Sequence, residues 1–501
     1  MVKGVAAAGH AVTARAATEV MAEGGNAFDA ACAAMMTACV CEPVLASPGG
    51  GGFLMAQTPD GQATLYDFFA QTPKHKRPPD DIEFKAIQAD FGPATQEFHI
   101  GAGASATPGF VPGLFAVHGD LGRLPMSKVA APAIRAAREG VKTEPVHAYI
   151  YTVVAPIIKA TQPSRELFAP KGALPETGDV HANPDLAKTY QALAAEGPDY
   201  FVDGKAGQAI IAQARDHGGH LTIDDLRGYT VARRKPLTWT HREHRLSLNA
   251  APAASGPLIA LALAIAETEA PSPDPVTIAR IMERVNAARP ELLDQLTEDV
   301  APETIAAEIA RLAGHAPSYR GTTHISVIDG EGNAASVSIS NGEGNGHIVD
   351  GCGFMLNNML GEEDLHPGGF HAWTPDTRLS SMMAPAIITA PDGALVALGT
   401  GGSNRIRSAI FQVALNLIDR RMAIDEAVAA PRLHVEKCGT VSFEDLLNPV
   451  DRDALLAAFP QAHPWPERNL FFGGVHAAAR QADGLLQGAG DPRRGGVSLT
   501  A

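Results

Sequence analysis

Gly321-Thr322-Thr323-His324-Ile325-Ser326-Val327-Ile328-Asp329, followed by Gly330-Glu331-Gly332-Asn333 and then Ala334-Ala335-Ser336-Val337-Ser338-Ile339-Ser340, is the stretch from which the rest of the chain can be read. From Thr323 to Asp329, His324, Ser326 and Ile328 alternate with Ile325 and Val327. This period of two is that of a strand. Gly330 to Asn333 supplies a turn into a second alternating run, Ala334 to Ser340, so a β-hairpin is expected to begin at Thr322. Just upstream, Ser318-Tyr319-Arg320-Gly321 reads as an exposed linker.

That junction has chemical consequences. If the Gly321–Thr322 bond is cut, Thr322 gains a free α-amine beside its own hydroxyl. An α-amine ordinarily titrates near about 7.7–8.0, well below lysine, so near neutral pH it can serve as the base that activates the hydroxyl. Gly321 has no side chain to hinder attack of the threonine oxygen on its carbonyl. Such a nucleophile also needs preorganised N–H donors for a tetrahedral oxyanion. Leu398-Gly399-Thr400-Gly401-Gly402-Ser403-Asn404 offers a tight glycine turn between a strand and a helix N-terminus, where unsatisfied amides gather. Read alone, it is equally an ordinary strand-to-helix turn.

Outward from the hairpin, a second one is legible at Ala386–Ala390 and Ala394–Leu398 around Pro391-Asp392-Gly393, followed by a helix from Arg405 to Asp419. Strands followed by helix imply a sheet covered by helix. Upstream, Val12–Met21 and Asn26–Val40 read as stacked helices separated by Gly24-Gly25, with Met35 and Met36 as core. The run Ser47-Pro48-Gly49-Gly50-Gly51-Gly52 lacks the following Lys-Ser/Thr of a phosphate loop and is read as close backbone packing before the strand Phe53-Leu54-Met55. Helices are expected at 127–140 and 256–266, and a helical, acidic segment at 271–316. No repeat of solenoid period is visible.

Composition bounds the function class. The 501 residues are 45% hydrophobic and 19% charged, and the formal charge is 40 − 55 = −15. That sign, with no Lys/Arg block interleaved with aromatics, argues against nucleic acid. Cys32, Cys39, Cys41, Cys352 and Cys438 are too few for a disulfide frame and read as reduced, buried thiols. The longest apolar run, Pro257 to Ala266, is too short to span a bilayer. The start lacks a leader-like apolar core. The expectation is a cytoplasmic protein, or a periplasmic one if an export signal has been removed. His241 and His244 lack the pattern of a metal motif, and the acidic run Glu362-Glu363-Asp364 reads as a solvated or amine-binding loop. Neither a metal nor another cofactor is expected. His324 beside Thr322 is read as structural, because the α-amine would already supply the base.

From Ala8 to about Glu436 the chain resembles the γ-glutamyltranspeptidase superfamily of N-terminal nucleophile hydrolases. Nine colinear motifs carry the likeness: Glu23 to Ala30, Gly49 to Leu54, Pro108-Gly109 with Val111-Pro112-Gly113, Ala131-Pro132-Ala133-Ile134, Asp225-Leu226 with Tyr229, Gly321-Thr322-Thr323-His324, Leu356-Asn357-Asn358, Leu379-Ser380-Ser381-Met382, and Gly401-Gly402-Ser403 with Arg405-Ile406. The resemblance implies an α+β protein with an αββα sandwich, made of fragments 1–321 and 322–501 that stay associated as a heterodimer after self-cleavage. Pairing of two such heterodimers is left open. It implies Thr322 as nucleophile, Ser340 (or Ser338, if the hairpin register differs) as the hydroxyl bonded to it, and Gly401 and Gly402 as the oxyanion pair. Ser380 and Ser381 match residues that contact the substrate's α-carboxylate, Asn341 a substrate-binding asparagine, and Glu362 (or Glu363 or Asp364) the acid that receives the α-amine.

Two departures bear on substrate. Relatives that use glutathione carry an arginine where Asp67-Phe68-Phe69-Ala70 places Phe69, and Lys74, Lys76 and Arg77 are the nearby cations that could replace it. A charge-assisted contact of that kind is worth about 1.5–3 kcal/mol, or roughly one to two decades of affinity. Asn341-Gly342-Glu343-Gly344-Asn345-Gly346 also departs from the usual aromatic-glycine pattern. The resemblance implies an amidohydrolase or acyltransferase acting on a γ-glutamyl or related small amide, the alternative being an acylase for oxamate-like or β-lactam amides. A catalytically dead scaffold is the reading from another class, and it predicts an uncut 52.3 kDa chain.

Overall fold

In the computed structural model the described residues are 2–90, 95–269, 271–293, 322–366, 369–436 and 438–501. Both expected hairpins form. Thr323–Asp329 pairs antiparallel with Ala334–Ser340, and Ala386–Thr389 with Leu395–Gly401. The first hairpin lies inside a seven-stranded sheet in the order Val497–Thr500, Gly4–Ala8, Thr323–Asp329, Ala334–Ser340, Gly51–Gln57, Ala63–Phe68, Ala232–Arg234. The second joins Leu486–Ala489, Gly474–Arg480, His244–Leu248 and Leu237–His241 in a six-stranded sheet.

The sheets stack face to face, with Thr323–Asp329 against Leu395–Gly401 and Gly474–Arg480. Helix Ala27–Cys41 covers the outer face of the first sheet, and Arg405–Ile418 that of the second, which gives a four-layered α+β fold. The alternation in the hairpin decides which face goes where. Ile325, Val327, Val337 and Ile339 join the helical side with Cys32, Met35 and Met36, all at 0% exposure. The polar face turns toward the other sheet, where every group finds a partner. His324 is held between Ser338 Oγ (2.8 Å from Nδ1) and Ser326 Oγ (3.0 Å from Nε2), and Ser336 Oγ donates to Leu398 O at 2.9 Å. Gly399 leaves room for the imidazole, since a Cβ there would stand 2.3 Å from His324 Cε1.

The expected first helices appear as Ala11–Ala22 and Ala27–Cys41, the later ones as Ser255–Glu269 and Arg405–Ile418. The helix expected over 127–140 divides at Ala130 into Met126–Val129 and Ala131–Glu139, where Pro132 lies at the start of the second piece. Of the segment 271–316, Pro275–Leu293 is helical; 294–316, with the linker 318–321, lie outside the described residues. The strand read at Phe53–Met55 extends to Gly51–Gln57, because the glycines let neighbouring backbone close in: a Cβ on Gly50 would stand 2.2 Å from Ser340 O. Four thiols are buried as expected, whereas Cys438 is exposed on a turn.

The N-terminus of Ala27–Cys41 shows how tightly this scaffold is tied. Asn26 and Asp29 form a reciprocal capping box, and the fully buried Asp29 also accepts from the backbone N–H groups of Arg123 and Leu124. Asp29→Ala would remove the box and strand those donors. Chemical denaturation should register a loss of about 2–3 kcal/mol, and a loss under 0.5 kcal/mol would contradict this account of the cap.

Candidate active site

Thr322 immediately precedes its strand and is 2% exposed. The pairing Thr323↔Ile339 sets it beside Ser340, so the register selects Ser340 over Ser338, whose hydroxyl is engaged by His324. On one side of Thr322 lies a cavity lined by Phe69, Ser340, Met359, Glu362, Ser381, Met382, Met383 and Ile406. Gly401, the last residue of Leu395–Gly401, presses on the Thr322 backbone: a Cβ there would be 1.8 Å from Thr322 O. Gly402 follows at φ +124° and Ser403 at φ +65°, a left-handed pair that turns the chain into the N-terminus of Arg405–Ile418. Among the described residues, none accepts from the Gly402 N–H.

Six of the residues singled out in the sequence therefore converge: Thr322, Ser340, Gly401, Glu362, Ser381 and Phe69. Glu362 is 3% exposed and lines the cavity, while Glu363 is exposed. Two residues are placed elsewhere. Ser380 is exposed and donates to Pro252 O at 2.7 Å, because alternation in an extended segment turns it away from Ser381. Asn341 is fully buried under the hairpin end, its amide 3.5 Å from Leu356 O, and does not line the cavity.

Phe69 stacks on Phe53 with ring centroids 5.5 Å apart. None of the three proposed substitutes for the absent arginine reaches it. Lys74 Nζ lies beside Gly228, Lys76 Nζ sits 4.5 Å over the Trp373 ring and donates to His371 O, and Arg77 is spent on Ala214 O and Gly219 O. The cation that does approach is Arg378, which sequence reasoning missed. It donates to Phe69 O, Tyr229 Oη and Thr230 O behind the phenylalanine backbone, with Nε 3.7 Å from Asp67. Its motif neighbours Leu379-Ser380-Ser381 were visible, but nothing local distinguishes it from a surface arginine. Among the described residues, Glu362 is thus the only charged one lining the cavity.

A second cavity lies on the other side of Thr322, lined by Glu42, Val146, His147, Thr323, His324, Gly401, His476 and Arg494 among others. Thr323 Oγ1 donates to Glu42 at 3.0 Å, and Arg494 Nη1 donates to Thr322 O at 3.3 Å. Burial penalises the charge of Glu42, but the hydrogen bond and charge of His147, with His10 and His476 nearby, hold its carboxyl below the usual range. Burial pushes His324 well down and His476 down to about 4, so both are neutral near pH 7. The structural role read for His324 holds. His10, Glu144 and His147 are close enough to share a cation, yet His10 Nδ1 accepts from Val12 N–H, which leaves the ring proton on Nε2. His241 bonds Asp419 at 2.7 Å and His244 bonds the Arg242 carbonyl, as local hydrogen bonding predicts. No helix among the described residues is long and apolar enough to cross a membrane.

A layered α+β fold with a buried threonine at the start of a central strand, its carbonyl packed against a glycine turn, places the chain among hydrolases of the N-terminal nucleophile type. A family profile described as gamma-glutamyltranspeptidase matches residues 13–501, and the chain belongs to that family. It is 29% identical to the glutathione hydrolase proenzyme of Pseudomonas aeruginosa over 99% of this chain and 94% of the relative. Against the acylase ACY 1 proenzyme of Pseudomonas sp. strain V22 the identity is 28%, over 99% and 93%. Among solved structures, the cephalosporin acylase from Bacillus halodurans superposes with a TM-score of 0.84 at 25% identity, covering 99% of this chain and 96% of that one. The protein is an enzyme of the amidohydrolase and acyltransferase type.

Proposed function

We propose that the protein cleaves itself before Thr322 and then acts as an amidohydrolase through an acyl-enzyme on the Thr322 hydroxyl. What supports this most is the convergence on Thr322 of Ser340, Glu362 and Ser381 around one cavity and of Gly401 against the Thr322 carbonyl, from segments far apart in the sequence. In this reading the α-amine takes the hydroxyl proton, the oxygen attacks the substrate carbonyl, and the amides at Gly401 and Gly402 stabilise the oxyanion. The amine leaves, and water or an acceptor amine releases the acyl group. Ser340 orients the hydroxyl, and fragments 1–321 and 322–501 remain one heterodimer. The substrate is a small-molecule amide; neither membrane nor nucleic acid takes part.

The two named relatives differ in activity at nearly equal identity, so overall similarity does not choose the acyl group. The cavity does. Phe69, Met359, Met382, Met383 and Ile406 make it largely apolar, and the only charged residue lining it among those described is negative. An apolar acyl chain bearing at most an amine fits it better than a γ-glutamyl group, whose α-carboxylate would face Glu362 without a cation. We therefore favour the acylase reading over efficient glutathione turnover.

Rates with a panel of γ-glutamyl and non-glutamyl amides, on the native enzyme and on Phe69→Arg, test this. Native kcat/KM should favour the carboxylate-free amides. Phe69→Arg should raise the γ-glutamyl to non-glutamyl ratio about tenfold. A native preference for γ-glutamyl donors, unchanged by the substitution, would rule out recognition through this position.

A further inference from the structure

We propose that Arg494 and Glu42, on the side of Thr322 away from the acyl cavity, act as opposed positioning charges that set the protonation of the amine liberated at Thr322. This rests on the nucleophile reading above and adds residues that lie apart from the sequence motifs.

The geometry carries it. Arg494 Nη1 is 3.3 Å from Thr322 O. The α-nitrogen is joined to that oxygen through three bonds, so the guanidinium lies within about 7 Å of it. A Cβ on Gly401 would be 3.0 Å from Arg494 Nη1, and one on Gly402 3.4 Å from Nη2, so the same cation borders the glycine turn. Glu42, at the C-terminal cap of Ala27–Cys41, lines the same cavity and accepts from Thr323 Oγ1.

Arg494 is not a side chain that happened to land there. It ends the short turn Pro492–Arg494, whose cap Asp491 is fully buried and accepts from Arg432 at 2.7 Å, Arg493 at 3.1 Å and the Val475 N–H at 2.8 Å. Its stem lies along Gly474, where a Cβ would approach Cγ and Cδ to 2.5 Å. Its Nε–H has no hydrogen-bond partner among the described residues. A guanidinium fixed by a buried ionic platform and only partly satisfied is a cation whose field is directed at Thr322.

The other groups that face Thr322 need to be weighed. His324 and His476 from the two sheets are neutral near pH 7, as shown above, and burial also lowers His10 at the cap of Ala11–Ala22. His147, which lines the same cavity as Thr322, stands 3.6 Å from Glu42, and Glu144 faces His10 at 3.6 Å. Glu362 lies on the acyl side. Among these, Arg494 disfavours an ammonium at Thr322, while Glu42 and, from across the nucleophile, Glu362 favour it. Loss of the cation should leave the amine protonated to higher pH, and loss of the Glu42 carboxylate should do the reverse.

The test is the acid limb of the kcat/KM pH profile in mature enzyme. Arg494→Gln should move its midpoint up by about one unit, Arg494→Lys by no more than about 0.3 unit, and Glu42→Gln should move it down by about one unit. The alkaline plateau of Arg494→Gln should stay within about threefold of native, because there the amine is neutral in either case. A lowered plateau with an unmoved limb would reduce Arg494 to a structural role and overturn the proposal. Should Arg494→Gln remain uncut, Glu42→Gln decides: an unmoved or raised limb overturns it. N-terminal sequencing of the native mature enzyme separates the two ideas. If no fragment begins Thr-Thr-His-Ile, the nucleophile reading itself fails; if one does and the limbs stay put, only the charge pair is wrong.

Discussion

Thr322→Ala should run as one 52.3 kDa chain, where the native protein resolves into two fragments, and its amidase rate should fall by at least about 10⁴-fold. The two effects share one cause. In the proposed maturation the Thr322 oxygen attacks the Gly321 carbonyl, the peptide nitrogen becomes the free α-amine, and water opens the resulting ester. Without that oxygen neither the ester nor the later acyl-enzyme can form. The substitution should not harm the fold, because the hydroxyl sits at the end of a strand whose six pairs with Ala334–Ile339 are made by other residues. Denaturant midpoints for the two proteins should therefore agree closely. Thr322→Ser, which keeps the oxygen, should still be cut. Two bands from Thr322→Ala would refute the assignment, and a single band from the native protein would support the inactive-scaffold reading.

How much of this could be read in advance depended on whether the signal was local. The hairpin was legible because its period of two and its Gly-Glu-Gly-Asn turn are contained in twenty residues. The direction of its faces was not, since polar His324, Ser326, Ser336 and Ser338 look like a solvent face and instead line the seam between two sheets. Only the second sheet, formed by strands from 237 to 489, reveals that they are buried and mutually bonded. Thr322, Gly401 and Phe69 were visible as motif positions and meet as expected. Ser380 and Asn341 shared those motifs but point elsewhere, because a motif fixes chain position and not side-chain direction. Arg378, Glu42 and Arg494 were invisible for the converse reason. Each is an ordinary charged residue in sequence and acquires meaning only from a contact across more than 140 positions.

Gly401→Ala is the sharper test of the oxyanion side, because the replaced atom is a single hydrogen and no charge or hydrogen-bonding group is lost. Its φ is not in the left-handed region, so alanine can adopt the backbone, and any effect must come from contact. That contact is severe: the new methyl would stand 1.8 Å from Thr322 O and 2.7 Å from its carbonyl carbon. These are backbone atoms of Thr322, fixed by the central strand that begins at the next residue, and cannot rotate aside. The strand end or the glycine turn has to move, and either shift separates the hydroxyl from the amides that would receive the oxyanion. Loss of one such donor costs about 10²–10³ in kcat, so Gly401→Ala should lower the turnover of any matured enzyme by at least that much and slow its own cleavage in a time course. Gly119→Ala is the matched control. It lies in the helix Phe110–Leu121, a Cβ there meets nothing within 4 Å, and it should stabilise the protein by about 0.5–1 kcal/mol without touching the rate. Native-like cleavage and kcat in Gly401→Ala would mean that the turn does not serve the nucleophile, however close the two stand.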